Sequence, residues 1–472
     1  MNISYYDRYQ TPLSLRYASQ EMSFIFSQSF RYSTFRKLWI ALAKAEKKLG
    51  INISSNQIKK MEEHVEDIDF SKVLEYEKQT KHDVMAHIHA FAHQCPEARS
   101  IIHLGATSCF VTDNTDLIQI KKALQLIENK LAFTLTEFAK VAQQYNELPC
   151  MGYTHLQPAQ PTTVGKRVCL WLQDFFMDLQ DLKENKNKLP FLGAKGATGT
   201  QASFLALFDG NEKKVKQLDE ILIKEFEFEK TIPISGQTYT RKLDIKILNT
   251  LQSFAASSHK FATDIRLLSS FKEINEGFEE KQVGSSAMPY KKNPILCERV
   301  CGLSRFLIAL AQNPPYTAAT QWLERSLDDS ANRRLCIAES FLCCDSILNL
   351  LYKIIKNIKI DEKTVKANIE KNMHFISMEN ILMEAVKRGG DRQLLHEKLK
   401  VFSFNQSFEE TIQSIAKDKD FHLSIDKLKS LTNIQNYTGL ASKQVTSFLE
   451  KEVFPLLKKY QKNKNQIPNI QI

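Results

Sequence analysis

The chain has 472 residues and a formal net charge of +10, with 43% hydrophobic and 25% charged residues. This length exceeds that of one compact core, so two or three domains are expected, and the composition is that of a soluble globular protein. The lysines are scattered and form no basic run interleaved with aromatic residues. The charge therefore does not by itself indicate nucleic-acid binding, and it fits anionic small-molecule substrates equally well.

The cysteine pattern and the apolar runs indicate where such a protein resides. The nine cysteines form no CxxC pair, and several lie in apolar helical stretches, which is typical of a reducing compartment. The first residues, MNISY, lack the basic-then-apolar pattern of a signal peptide. Apolar runs such as residues 306–311 are too short to span a bilayer. We therefore expect a cytoplasmic protein with no membrane and no nucleic-acid partner.

The first hundred residues mix short helical patterns with breaks. Residues 34–49 are amphipathic, with Leu38 and Leu49 on one face, and the pattern stops at Gly50, a normal helix C-cap. A second helix is predicted over residues 81–93.

Residues 113–146 mark a change, because they contain neither Gly nor Pro and their apolar side chains recur at helical spacing. Thr112 or Asp113 is the predicted N-cap. Further break-free spans cover residues 164–188, 239–275, 295–312 and 330–360. Five long helices, each with one apolar stripe, predict an all-α fold with a central bundle. We place domain boundaries near 107 and 360, which gives an N-terminal helical domain (1–107), the bundle (108–360) and a C-terminal helical domain (361–472).

A loop of unusual composition, GSSAMPYKKNP, occupies residues 284–294. Two prolines, a glycine and paired serines exclude a helix or a central strand, and the helical pattern resumes after Pro294. The loop offers two hydroxyl groups, free backbone N–H groups and Lys291 just ahead of a helix N-terminus. This combination suits a developing oxyanion, although a plain connector between two helices has the same composition.

A second loop precedes the 164–188 helix and carries His155 between Gly152 and Pro158. A single histidine is more often structural or merely exposed than catalytic. An imidazole on a turn can nevertheless gain or lose a proton at cellular pH, so His155 is the best general-acid candidate in the chain.

The segment before the last long helix is rich in arginine and aspartate. Ser330 and Arg334 are four residues apart and therefore share a helix face. Arg299, Arg325 and Arg334 are candidate partners for carboxylate or phosphate, although a surface ion-pair cluster with the neighbouring aspartates is the simpler explanation for any one arginine.

The junction between the first domain and the bundle holds another polar group of residues. Lys81, His82 and Asp83 follow one another near a helix start, and Thr107 and Ser108 precede the first long helix. Such groups hold phosphate or carboxylate oxygens, or simply cap a helix.

Two familiar motifs fail. His89 and His93 have zinc-helix spacing, but the residues between them lack the glutamate of a metalloprotease, and we predict no metal site. Residues 193–199 are glycine-rich but have neither the ending of a P-loop nor the Rossmann spacing.

Taken together, residues 284–294, the pair Thr107 and Ser108, and the pair Thr154 and His155 resemble the three signature regions of the fumarase/aspartase superfamily. The finer pattern resembles the branch that acts on succinyl-purine nucleotides. The supporting stretches lie at residues 14–19, 81–87, 102–108, 196–203, 236–242 and 328–334.

The resemblance implies β-elimination of fumarate from succinyl-nucleotide substrates, giving AMP from adenylosuccinate and AICAR from SAICAR, without a cofactor. On the family pattern His155 is the general acid and Ser285 the general base, with Lys291 and the loop N–H groups favouring the serine alkoxide. Glu298 would orient His155 or stabilise its charged form. Lys291 and Asn293 would hold the succinyl carboxylate together with Thr107 and Ser108.

The remaining site residues implied by the family pattern surround the nucleotide. Those resembling nucleotide and phosphate contacts are Arg16, Tyr17, Arg325, Ser330 and Arg334, and those completing the pocket are His82, Asp83, Gln237 and Arg299. Lys81 departs from the arginine more often found there, which replaces a bidentate phosphate contact with a point charge.

The superfamily pattern also implies a homotetramer whose sites are each shared between subunits. Three alternatives stay open from the sequence: another fumarate-releasing member such as argininosuccinate lyase, a non-catalytic structural member of the fold, and a nucleic-acid-binding protein. The presence of His155 and Ser285 disfavours the non-catalytic alternative.

Overall fold

The computed structural model describes residues 9–278, 286–288, 290–432 and 434–460 of the chain. The prediction of an all-α fold is confirmed, because long helices dominate and the described strands are short. The helices that precede the bundle are α1 (Gln20–Ile25), α2 (Gln28–Lys48), α3 (Ser55–Glu63), α4 (Phe70–Thr80) and α5 (Asp83–Gln94). The predicted helices over 34–49 and 81–93 correspond to α2 and α5.

The bundle consists of long helices joined by short elements. In chain order these are α6 (Ser108–Gln144), β1 (Pro149–Thr154), β2 (Gln157–Thr163), α7 (Val164–Lys188), α8 (Ala202–Leu207), α9 (Glu212–Glu225), α10 (Lys242–Ser270), β3 (Ile274–Asn275), α11 (Ile295–Leu310), α12 (Asn313–Ala319), α13 (Asp329–Asn357) and β4 (Lys359–Ile360). The five long predicted helices correspond to α6, α7, α10, α11 and α13.

Shorter helices complete the described chain. They are α14 (Glu362–Lys387), α15 (Arg392–Asn405), α16 (Phe408–Lys417), α17 (Ile425–Leu431), α18 (Ala441–Phe448) and α19 (Phe454–Leu457). The predicted boundaries near 107 and 360 fall where α6 and α14 begin, and the division into three domains stays a prediction.

The bundle helices form because each buries an apolar stripe against its neighbours. In α6, Leu117, Leu124 and Leu131 lie seven residues apart and are each fully buried. One continuous core joins these stripes with those of α2, α7, α10, α11 and α13. Burial on this scale supplies most of the stability of long helices, whose intrinsic propensity is weak.

The predicted start of α6 is wrong. The helix begins at Ser108, with Thr107 as its N-cap, rather than after Thr112 or Asp113. Residues 108–112 contain no helix breaker, so the helix extends back through them. Asp113 does not cap the helix; its carboxylate instead accepts a hydrogen bond from Arg241 at 2.9 Å.

The ends of the bundle differ in what they carry. The first turns of α6, α10 and α13 meet at one end, which we call the arginine end, because Arg241 binds both Asp113 and Asp329 there. The β1–β2 hairpin lies at the other end, where Tyr153 donates a hydrogen bond to Glu273, just beyond α10. α10 has 29 residues, so about 43 Å separates the two ends.

One helix, α13, is long and apolar enough to cross a membrane by length and composition. Its most apolar 18-residue window is 83% buried within the protein. Its side chains pack against the neighbouring bundle helices, so α13 is a core helix.

Candidate active site

A cavity of about 1000 Å³ opens at the arginine end of the bundle, between the α4–α5 junction and the first turns of α6 and α13. It brings together eight of the side chains predicted from sequence: Lys81, His82, Asp83, Ser108, Gln237, Arg325, Ser330 and Arg334. These residues come from segments as much as 253 positions apart in the chain, from Lys81 to Arg334. Their convergence supports a shared role in binding a polar ligand.

His82 is oriented by the helix that it begins. As N-cap of α5, its Nδ1 accepts a hydrogen bond from the Met85 backbone N–H at 3.3 Å. The ring proton therefore lies on Nε2, which is 3.5 Å from the Ser108 hydroxyl oxygen. An imidazole N–H and a hydroxyl group thus face the cavity side by side, and both can donate to ligand oxygens.

Asp83 and Arg334 span the mouth of the cavity with an ion pair of 2.9 Å between Oδ2 and Nη2. Burial raises the pKa of the Asp83 carboxyl, but the Val84 N–H and Arg334 outweigh it and hold the pKa below its usual value. Both side chains remain partly exposed. A ligand phosphate therefore competes with Asp83 for Arg334 or shares the guanidinium with it.

Lys81 ends α4 in the left-handed conformation, at a φ of 52°. It makes no ion pair within the part of the chain that the structure describes. Its ammonium group at the cavity wall is available to an anion as a point charge.

The floor of the cavity is a buried charge network that the sequence patterns did not predict. Arg241 donates to Asp113 at 2.9 Å and to Asp329 at 2.7 Å, and both carboxylates are almost fully buried. Arg325 donates to the same Asp329 at 3.2 Å. Each buried charge has a partner, which such burial requires.

A second part of the network lies deeper. Arg333 binds Asp244 at 2.7 Å and Asp116 at 3.0 Å, and Arg31 binds Asp116 at 2.6 Å. Burial raises the pKa of Asp116, but the two arginines outweigh it and hold the pKa below its usual value. Tyr239 donates its hydroxyl to Asp244 at 2.6 Å. The Asp116 carboxylate is therefore ionised, and these contacts fix the side chains of the floor.

Sequence inspection missed this floor although a signal was present. Asp113, Asp116, Asp244 and Arg333 are charged residues near the starts of core helices, on helices that bury many apolar side chains. A charged residue that faces a core requires a partner of opposite charge. Each of these positions therefore predicts that an oppositely charged side chain lies nearby. Arg241 lies 128 positions from Asp113 and 88 from Asp329, and sequence alone does not give such pairings.

His155 does not line the cavity. It lies at the tip of the β1–β2 hairpin, where His155 and Leu156 have φ values of 54° and 58° between the paired residues Thr154 and Gln157. Two successive positive φ values form the tight two-residue turn that suits hairpin twist. The prediction of a turn is confirmed, and the imidazole is exposed at the end of the bundle opposite the cavity.

Arg16, Tyr17 and Arg299 form a separate cluster on the side of the bundle. The Arg299 guanidinium carbon lies 5.4 Å from the centre of the Tyr17 ring, and that of Arg16 lies 6.0 Å from it. Arg299 Nη1 is buried and has no hydrogen-bond partner among the described residues. An unpaired buried donor of this kind suits an anionic ligand that arrives from outside.

The predicted serine loop leads into α11. Ser285 lies outside the described residues. Lys291 is exposed, and its backbone N–H donates to the Met288 carbonyl at 3.0 Å. Asn293 is half-buried just before α11, and Glu298 is exposed on its first turn.

Lys291 and Asn293, which the structure describes, also lie away from the cavity within one chain. The first turn of α11 is fixed near the hairpin end, because Leu296 and Cys297 donate backbone N–H groups to Glu276 at 3.0 and 2.8 Å. Thr107 caps α6 beside Ser108 but does not line the cavity.

The described residues contain no group of three or more His, Cys, Asp or Glu side chains placed to hold a metal ion. His87, near the spaced pair His89 and His93, stacks its ring on Tyr32 with the centroids 3.8 Å apart. Burial lowers the pKa of His87 to about 4, so it is a neutral core side chain.

Comparisons with known proteins agree with this architecture. A family model described as Lyase matches residues 8–307. Two crystal structures superpose with a TM-score of 0.81: a fumarate lyase from Mesorhizobium sp. BNC1, 20% identical over 94% of this chain and all of that one, and a 3-carboxy-cis,cis-muconate lactonizing enzyme from Pseudomonas putida, 21% identical over 96% and 100%. At these identities the structures show the fold. The helical bundle and the family match define a lyase of the fumarase/aspartase type.

Full-length relatives narrow the assignment. The chain is 46% identical to the adenylosuccinate lyase of Saccharomyces cerevisiae, with 98% of each chain covered. It is 44% identical to that of Schizosaccharomyces pombe, with 95% of each covered, and 44% identical to that of Schistosoma mansoni, with 96% and 97% covered. The chain belongs to the adenylosuccinate lyase family of carbon–nitrogen lyases.

Proposed function

We propose that this chain cleaves adenylosuccinate to AMP and fumarate, and SAICAR to AICAR and fumarate, by β-elimination. The observation that supports this most strongly is the cavity at the arginine end. It gathers an imidazole, hydroxyl groups and the cations of Lys81, Arg325 and Arg334 around one space. A nucleotide phosphate and a dicarboxylate both require such donors.

The chemistry sets what the site must supply. The proton to be removed is on a carbon beside a carboxylate and is very weakly acidic. Its removal requires a placed base and cations that stabilise the negative charge that develops on that carboxylate. The departing nitrogen of the nucleotide must receive a proton from an acid.

We assign these roles on the family pattern. Ser285 removes the carbon-bound proton, and Lys291 with nearby backbone N–H groups favours its alkoxide. His155 protonates the leaving nitrogen, and Glu298 supports its charged form. His82, with its proton on Nε2 beside Ser108, donates to the succinyl carboxylate.

The proposed active site is assembled from several subunits of a homotetramer. Within one chain, His155 lies at the hairpin end and His82 at the arginine end, and about 43 Å of α10 separates these ends. One succinyl nucleotide cannot span this distance. Antiparallel packing of bundles brings the hairpin end of one chain to the arginine end of another, as closed symmetry permits.

The wider setting follows from the substrate. The proposed partners are small succinyl nucleotides and further copies of the chain, with no nucleic acid, membrane or cofactor required. The nine cysteines are all free and buried, which supports a reducing, cytoplasmic location.

A direct assay tests the activity. Purified protein should consume adenylosuccinate, followed by the change in ultraviolet absorbance and by fumarate release, and should leave argininosuccinate unchanged. Turnover of argininosuccinate alone, or of neither compound, would reject the proposed substrate.

The general-acid assignment is tested separately. His155→Ala should lower kcat by several orders of magnitude while the helical circular dichroism and the oligomeric state stay unchanged, because the imidazole is exposed and makes no core contact. Leu156→Ala, at the neighbouring exposed turn position, serves as the control. Near-normal turnover of the His155 variant would show that another group protonates the leaving nitrogen.

A further inference from the structure

Asp329 holds a central position in the floor of the cavity. It is the first residue of α13, and only 1% of its surface is exposed. Oδ2 accepts from Arg241 Nε at 2.7 Å, and Oδ1 accepts from Arg325 Nη1 at 3.2 Å. One carboxylate therefore joins a fully buried guanidinium group to one that is 25% exposed in the cavity.

The backbone that carries Arg325 is fixed from the other side. The Gln237 backbone N–H donates to the Glu324 carbonyl at 3.0 Å. Gly236 packs so closely there that an added Cβ would lie 2.5 Å from the same carbonyl oxygen. Arg325 is therefore held at both its backbone and one guanidinium nitrogen.

We propose that Asp329 is a positioning residue that holds the Arg325 guanidinium in place to bind the phosphate of the nucleotide. The inference rests on the proposed function and names a residue that acts through Arg325 rather than on the substrate. Asp329 accepts from Nη1 of Arg325, and the other N–H donors of that guanidinium group are left for the phosphate. Fixing the side chain in advance lowers the entropy that binding must remove.

The charges around Asp329 are balanced, so its carboxylate can position Arg325 without repelling the phosphate. A lone carboxylate beside a phosphate dianion would oppose binding. Arg241 and Arg325 together balance the charges of Asp113 and Asp329. The pair Arg325 and Asp329 therefore presents donors to the cavity without adding a free negative charge.

A double-mutant cycle tests the proposal. Wild type, Asp329→Asn, Arg325→Gln and the double variant are compared for KM and kcat with adenylosuccinate and for inhibition by AMP. We expect Asp329→Asn to raise KM and the AMP inhibition constant by about 10-fold or more, since one charge-assisted hydrogen bond to Arg325 is lost. In the Arg325→Gln background the same change should have no further effect.

The neighbouring residue supplies a matched control. Asp328 is exposed and accepts hydrogen bonds from Ser326 and Thr320 instead of an arginine. Asp328→Asn should leave KM within about twofold of wild type, as exposed substitutions away from a site do.

A purely structural role of Asp329 gives a different result. Asp329→Asn would then lower activity equally in both backgrounds, and that additivity would overturn the proposal, as would an unchanged KM in a folded variant. Asp329→Glu is the second variant, for use if Asp329→Asn does not fold. It keeps the negative charge that Arg241 requires but displaces the carboxylate from Arg325. It should raise KM while circular dichroism shows that the variant stays folded, and an unchanged KM would equally reject the proposal. Failure of wild type to cleave adenylosuccinate would instead reject the proposed function.

Discussion

Glu46 is the most poorly satisfied charge-bearing side chain among the buried residues described. It lies on α2 with no exposed surface, and neither carboxylate oxygen has a hydrogen-bond partner among the described residues. Burial raises the pKa of Glu46 to about 8. The side chain is therefore protonated in the folded protein at neutral pH, whereas it is ionised in the unfolded chain.

This difference makes stability depend on pH. The stabilising contribution of the protonated form is fully present below the unfolded pKa of 4.5 and is lost as pH rises through the folded pKa of about 8. Between pH 6 and 9 we expect wild type to lose about 3 kcal/mol per subunit relative to Glu46→Gln. Urea denaturation of both proteins at each pH, with the protein concentration held constant, measures this difference.

Glu75, exposed on α4, provides the control for Glu46, because Glu75→Gln should follow wild type at each pH. A stability difference between wild type and Glu46→Gln that does not change with pH would show that Glu46 is ionised in the folded state.

At the residue scale, the sequence predicts which polar residues belong to the site better than it predicts which residues they bind. Lys81, His82, Ser108 and Arg334 were identified from local motifs and lie together at the cavity. Arg241 was not identified, because its partners Asp113 and Asp329 are 128 and 88 positions away. A short motif carries no information about contacts at that separation.

At the scale of elements, the loop around Gly236 determines where Arg325 lies. A Cβ at this position would meet the Glu324 carbonyl oxygen at 2.5 Å and its Cα at 2.9 Å. Backbone atoms cannot rotate away as a flexible side chain can. Gly236→Ala should therefore displace the Glu324–Arg325 backbone, raise KM at least several-fold, and cost about 1 to 3 kcal/mol of stability.

Kinetics and thermal denaturation of Gly236→Ala check this, with Ser235→Ala beside it as control. The Ser235 hydroxyl is buried without a partner among the described residues, so its removal should be neutral or stabilising. An unchanged KM for Gly236→Ala would mean that Arg325 is held by Asp329 alone.

The helices themselves are the part of the fold that sequence predicts most completely. α7 has the predicted bounds, because the Thr163 hydroxyl oxygen caps it by accepting a 3.1 Å hydrogen bond from the Lys166 backbone N–H and no breaker interrupts it. The start of α6 was misplaced because Thr112 and Asp113 are good N-cap types wherever they occur. Only the pairing of Asp113 with Arg241 explains why a cap residue lies inside a helix.

At the scale of the whole molecule, the separation of His155 from His82 gives a test of shared sites. If each site takes these two residues from different subunits, His155→Ala and His82→Ala remove side chains that different subunits supply to one site. The proposed tetramers, reassembled from an equal mixture, should regain about a quarter of wild-type activity, since random association restores both residues in that share of sites.

Each inactive variant, dissociated and reassociated alone, is the control for the mixture. Mixed tetramers that stay inactive, although mass spectrometry shows both variants in one assembly, would contradict sharing of sites. The proposed packing of bundles from different subunits is the feature least accessible from sequence patterns, because it depends on surfaces of separate chains.

The hairpin that carries His155 is anchored on the C-terminal helices. Met151 of β1 packs in one apolar cluster with Ile369 and Met373 of α14, and Gln160 of β2 donates to Glu379 of the same helix. If His155 completes the active site of a neighbouring subunit, α14 supports a catalytic side chain that acts in another chain. A shortened side chain at Ile369 would then impair the elimination reaction in a site that also uses residues of another subunit.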